Sequence, residues 1–143
     1  MRLIPIGLLL LLAACAAPTA GSTAAPAPSA PAVSAAEAVV QAQLEAYNRR
    51  DVDAFAATYA PDVRIYDHPD RLQMSGVEQL RETYARLFAS APGLHAAVSR
   101  RIVQGDHVID HETVTGLPGG ARIQAVAVYQ VRDGRIQNVW FIQ

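Results

Sequence analysis

"YNRRDVDAFAATYAPDVRIYDHP" spans residues 47–69, and its reading decides the fold. "NRRD" interrupts a helical pattern. Asp51 is placed to cap a second, shorter helix carrying Val52, Phe55, Ala56 and Tyr59, which Pro61 ends. From Val63 the period changes. Val63, Ile65 and Asp67 share one face, Arg64 and Tyr66 the other, which predicts a strand over 63–67. A loop with Pro69 follows.

Upstream, Ser34 and Glu37 in "SAAE" have capping-box spacing, so structure begins there. Ala36, Val39, Val40, Leu44 and Tyr47 recur at helical spacing and predict one buried stripe. Downstream, Ser75 and Glu78 in "SGVE" repeat the capping box and open a third helix with Val77, Leu80, Tyr84, Leu87 and Phe88 inward. After Leu94 the chain reads as strand and turn. "HAAVSRRIV", "HVIDHETVTG", "ARIQAVAVYQV" and "RIQNVWFIQ" are four strands, the last two joined by the hairpin turn Asp133-Gly134. Two helices, a strand, a helix and a four-stranded meander make an α+β domain.

The N-terminus is separate. "MRLIPIGLLLLLAAC" carries one charge, Arg2, before an apolar run shorter than the ~20 residues of a membrane-spanning helix. It fits a signal peptide. Leu12-Ala13-Ala14-Cys15 resembles a bacterial lipobox, which implies cleavage before Cys15 and lipid on its thiol; an ordinary signal peptide that contains a cysteine is the alternative. Cys15 is the only cysteine, so no disulfide forms within one chain. Residues 15–34 are an Ala/Pro/Ser-rich tether with too little to bury to offset its ordering entropy. The expected organisation is a leader at 1–14, a tether at 15–34 and a folded domain at 35–143. Ala16 in place of aspartate leans toward the outer membrane, facing the periplasm, in a Gram-negative cell. The formal charge of −1 argues against a nucleic-acid partner.

The element order, with "YNRRDVDAFAATYAPDVRIYDHP" and "VYQVRDGRIQNVWF", resembles the nuclear transport factor 2-like superfamily, and within it SnoaL-like and ketosteroid-isomerase-like domains. The resemblance covers about residues 35–143. It implies a cone: three N-terminal helices packed on the concave face of a curved, mainly antiparallel sheet, with a pocket at the open end. Isomerases, cyclases, dehydratases and proteins without catalysis share that fold, so the fold alone does not choose among them. By resemblance, Asp67 in "YDHP" occupies the place of the isomerase general base. The positions of its two oxyanion-hole donors fall on Gln43 and Ala127, so ketosteroid isomerisation is not expected.

Strand period then assigns faces. Two acids on a core face would be costly. Asp110 and Glu112 are therefore expected outward and His111 inward, with Tyr129 inward on the next strand. The expected ligand pocket comprises Tyr47, Asp67, His111, Ala127 and Tyr129, with His68 at its margin. Within it, Asp67 and His111 could transfer a proton, hold a ligand without chemistry, or simply satisfy each other. Of Arg100 and Arg101, one on each face, the inward one could pair with Asp67 or receive an anion. No ligand spacing specifies a metal, no phosphate-binding glycine loop is present, and no cofactor is expected. Trp140, Val126, Val128 and Ile142 make the outer sheet face apolar. Related domains dimerise there, so a homodimer is expected. Three functions stay open: an envelope lipoprotein that binds a small, largely apolar molecule; an isomerase or lyase using Asp67 and His111; and a non-catalytic accessory subunit of an envelope complex.

Overall fold

The computed structural model describes residues 33–143. The leader, Cys15 and all but the last two residues of the tether lie outside the described residues. No described helix is long and apolar enough to cross a membrane.

Helix α1 (Ala35–Arg49) starts as its capping signal requires: the Glu37 amide donates to Ser34 Oγ at 3.0 Å. It ends at Arg50, which takes a left-handed conformation with φ 57°. The break is riveted to the sheet. Asn48 donates to the Ala96 carbonyl at 3.0 Å and accepts from the Ala96 amide at 2.8 Å. The Arg50 guanidinium donates to the Leu94 carbonyl at 3.1 Å. Asp51 then caps α2 (Val52–Ala57), accepting from the Ala54 amide.

Helix α2 stops at Ala57, earlier than expected, and β1 runs from Tyr59 to Asp67 with Pro61 inside it. Pro61 fits because the parallel pairing of β1 with β6 (Arg135–Ile142) lapses between Tyr59 and Arg64, so no ladder hydrogen bond is required of it. The loop expected after Pro69 is instead a short turn into β2 (Arg71–Ser75), antiparallel to β1. The third helix, α3 (Val77–Ser90), is capped by Gly76 rather than Ser75 and has no side-chain cap; the Ser75 amide donates to Gln79 Oε1 instead.

Strands β3 (His95–Gln104), β4 (His107–Thr115), β5 (Ile123–Arg132) and β6 form the expected antiparallel meander. The β5–β6 turn places Asp133 at φ 50° and Gly134 at φ 72°, the double left-handed geometry of a tight hairpin. One sheet of order β2-β1-β6-β5-β4-β3 results, and its strands pair antiparallel except β1 with β6.

The three helices cover one face. Phe55, fully buried, anchors an aromatic cluster: its ring centroid lies 4.5 Å from Tyr84, 5.1 Å from Tyr59, 5.7 Å from Phe88 and 6.0 Å from Tyr47. Such pairs add about 0.5–1.5 kcal/mol each beyond area burial. On the other face, register aligns Leu72, Tyr66, Trp140, Val128, Ile109 and Ile102 in one apolar row that crosses all six strands. Tyr66 and Trp140 stack within it at 5.8 Å.

Candidate functional site

Between the helices and the concave face of the sheet lies a cavity of about 190 Å³. Pockets for drug-sized ligands measure roughly 300–1,000 Å³, so this space suits a smaller molecule. Helix α1 contributes Gln43 and Tyr47, α3 contributes Tyr84, and the sheet contributes Glu112, Tyr129 and Phe141. Gln43 is turned away from an empty role: its amide donates to the Tyr59 hydroxyl at 3.1 Å.

The faces of β4 are the reverse of those expected. Asp110 is 1% exposed and Glu112 8% exposed, while His111 is exposed on the outer face. The expected cost of two inward acids is met differently at each. Arg101 on β3, directly opposite in register, donates from Nε and Nη2 to the two Asp110 oxygens, both at 2.7 Å. Its Nη1 donates to Gln41 Oε1 on α1 at 2.9 Å. The hydrogen bonds to Asp110 raise the guanidinium pKa further. Arg101 is thus the inward arginine, and its partner is Asp110 rather than Asp67 or a ligand anion. The pairing was countable from sequence: outward from the two-residue turn Gly105-Asp106, Gln104 meets His107 and Arg101 meets Asp110.

Glu112 has no such partner. Among the described residues nothing hydrogen-bonds its carboxyl, yet no fully enclosed side-chain oxygen lacks a partner. Its oxygens therefore open onto the cavity. Its pKa is pushed up to about 7, chiefly by burial, with Asp110 adding to the rise and Arg101 partly opposing it. Burial also raises Tyr47, Tyr84, Tyr59 and Tyr129, which stay protonated.

This has a consequence for stability. Unfolded, Glu112 ionises near 4.5; folded, near 7. Between these values the folded state holds the extra proton, so its stability is full below pH 4.5 and falls as pH rises through 7. The loss above pH 7 is on the order of 3 kcal/mol. Glu112→Gln should therefore match the wild type near pH 4 and exceed it in melting temperature at pH 8. Calorimetry across that range checks this; a difference constant with pH contradicts it.

Asp67 and His111 do not meet. Asp67 shares a register row with Phe141, Ala127 and Asp110, whereas His111 shares one with Val126, Ile142 and Arg100, on the opposite face. The Asp67 carboxylate is engaged by Arg71 and Gln73 in a rim depression that also includes His68. His111 instead has Ser99, the bulge residue of β3, 3.2 Å from its Nδ1. The proton-transfer pair expected from the sequence is not assembled. Of the other expected pocket residues, Tyr47 and Tyr129 line the cavity, and Ala127 is buried in the sheet without lining it. Among the described residues no three His, Cys, Asp or Glu side chains converge to hold a metal ion.

The family model described as a SnoaL-like domain matches residues 40–139. No curated protein matches the chain. Solved structures do. An uncharacterised protein of described cystatin fold from Novosphingobium aromaticivorans is 27% identical, with a TM-score of 0.70 over 78% of this chain and 100% of its own. An NTF2-like protein of unknown function from Cytophaga hutchinsonii is 14% identical, with a TM-score of 0.63 over 77% of this chain and 89% of its own. A candidate SnoaL-like polyketide cyclase from Jannaschia sp. CCS1 is 22% identical, with a TM-score of 0.63 over 78% of this chain and 87% of its own. At such identities these likenesses speak to the fold.

Proposed function

The chain belongs to the SnoaL-like domain family, and from that premise we propose that its cavity binds a small, largely apolar molecule. The observation that carries this reading is the cavity itself, walled by aromatic and aliphatic side chains around one unpartnered carboxyl. Binding is favoured over turnover because, among the described residues, no second group beside Glu112 is poised to exchange a proton: Asp110 is taken by Arg101, His111 lies across the sheet, and burial holds the Tyr47, Tyr84 and Tyr129 hydroxyls protonated. Cyclohexanol is a suitable probe. Its addition should shift the amide resonances of residues that line the cavity. Ala125→Leu, which fills the cavity from β5, should weaken the effect about tenfold or more. Equal response in both proteins would sink the reading.

We place the domain at the cell envelope, tethered through a lipid on Cys15; the lipobox-like run Leu12-Ala13-Ala14-Cys15 supports this. We also propose that it is a homodimer through the outer sheet face. The six-residue apolar row supports a self-complementary contact, because it spans the sheet. It is bordered on one side by a polar row of Ser75, Arg64, Asn138, Gln130, His107 and Gln104. Sedimentation should give a dimer at micromolar concentration and a monomer for Val128→Arg, at the centre of the row. A monomeric wild type at tens of micromolar would refute the contact.

A further inference from the structure

We infer that the occupant of the cavity is a small organic ammonium ion, its charge set against Glu112 and its hydrocarbon among the rings of Tyr47, Tyr84, Tyr129 and Phe141. The inference rests on the reading of the cavity as a binding site, and goes further in naming the chemistry of the ligand.

Three observations carry it. First, Glu112 is more than nine-tenths buried, has no hydrogen-bond partner among the described residues and opens onto the cavity. A carboxylate that opens onto a largely apolar cavity, with no partner from the protein, favours a cation or a donor as its occupant. Second, the protein does not supply that cation. The chain contains no lysine, and among the described residues no arginine or histidine lines the cavity. The nearest guanidinium, Arg101, is fully committed to Asp110 and Gln41. Third, the surrounding walls are aromatic. Four rings line the space, and aromatic rings attract cations through their quadrupoles, the more so away from water. An anionic ligand would meet the Glu112 carboxylate. A neutral hydrocarbon would cover the carboxyl and offer it no partner.

The groups that face Glu112 are Asp110 on its own strand, Arg101 on β3, Tyr59 on β1, Tyr129 on β5, Tyr47 on α1 and Tyr84 on α3. The tyrosines remain protonated, Arg101 remains cationic and Asp110 is engaged by it. Glu112 therefore governs how a bound cation responds to pH. A cation needs the carboxylate, so its affinity must rise with pH until Glu112 is ionised. A carbonyl compound that accepts a hydrogen bond from the protonated acid must show the reverse.

The test compares cyclohexylammonium chloride with cyclohexanol by titration calorimetry on the full chain at pH 5.5, 7 and 8.5. An alkylammonium stays charged throughout this range. The ammonium ion should bind at least tenfold more tightly than the alcohol at pH 8.5. Its affinity should fall about tenfold per pH unit below about 7 and level off above it. Glu112→Gln should abolish both the preference and the slope; should that variant fail to fold, the slope in the wild-type protein decides. Equal or tighter binding of the alcohol, or a flat or reversed pH profile, overturns the inference while leaving the cavity a binding site. If neither compound binds, both readings fall.

Discussion

Arg101→Leu should lower the stability of the domain by about 3–5 kcal/mol, a large share of what a domain of this size possesses. The loss of packing is the smaller part. Asp110 is 1% exposed, and among the described residues both of its carboxylate oxygens are met by the side chain of Arg101 alone. Without the guanidinium, the carboxylate is left charged and unpaired between sheet and helix. Arg101 also bonds Gln41, so its removal unfastens α1 from β3 at that point. The paired variant Arg101→Leu/Asp110→Leu separates the effects. With both charges gone the desolvation cost disappears too, and most of the stability should return. Chemical denaturation of the single and double variants checks this. Equal losses in both would mean that packing, not the unpaired charge, is what Arg101 provides.

The second large effect lies at a glycine. Gly116 follows β4 at the open end of the β3–β4 pair, where it lies against Gly93, with φ at 73°. A Cβ there would stand 1.9 Å from the Gly93 carbonyl oxygen, 2.3 Å from its carbon and 2.8 Å from the Leu94 nitrogen. All three are backbone atoms, so no rotamer change relieves the contact. Gly116→Ala should cost more than about 4 kcal/mol or prevent folding. Gly134→Ala is the control. Its φ is 72°, but nothing lies within 4 Å of the added Cβ, so it carries only the left-handed penalty of about 1–2 kcal/mol. Denaturation midpoints that coincide for the two variants would show that the contact with Gly93 does not matter.

Much of this architecture was legible in the residues, and the reasons differ from element to element. The start of α1, the meander and its Asp133-Gly134 turn follow local rules, each set by residues a few positions apart. Strand β2 does not, because "RLQMS" is an exposed edge strand with no buried side to impose alternation. The cavity was only half legible. Tyr47 and Tyr129 lie inward because an aromatic ring on an apolar stripe has nowhere else to go. The β4 faces were misread because the cost of burying Asp110 was weighed without its partner. That partner sits nine residues earlier, and hairpin counting reaches it. Glu112 had no local signature: its importance comes from what surrounds it in space.

Strand order carries a consequence for how the domain comes together. Strand β6, last in sequence, lies in the interior of the sheet, between β5 and β1. Its pairing with β1 joins residues such as Arg64 and Asn138, more than seventy positions apart. Until β6 docks, the β1–β2 hairpin and the three-stranded β3–β5 unit have no strand in common. Closing so long a loop is entropically costly and slow, and before it only the helices link the two units. The domain should therefore fold late during synthesis and in one step, with "RIQNVWFI" as the segment whose arrival commits the chain.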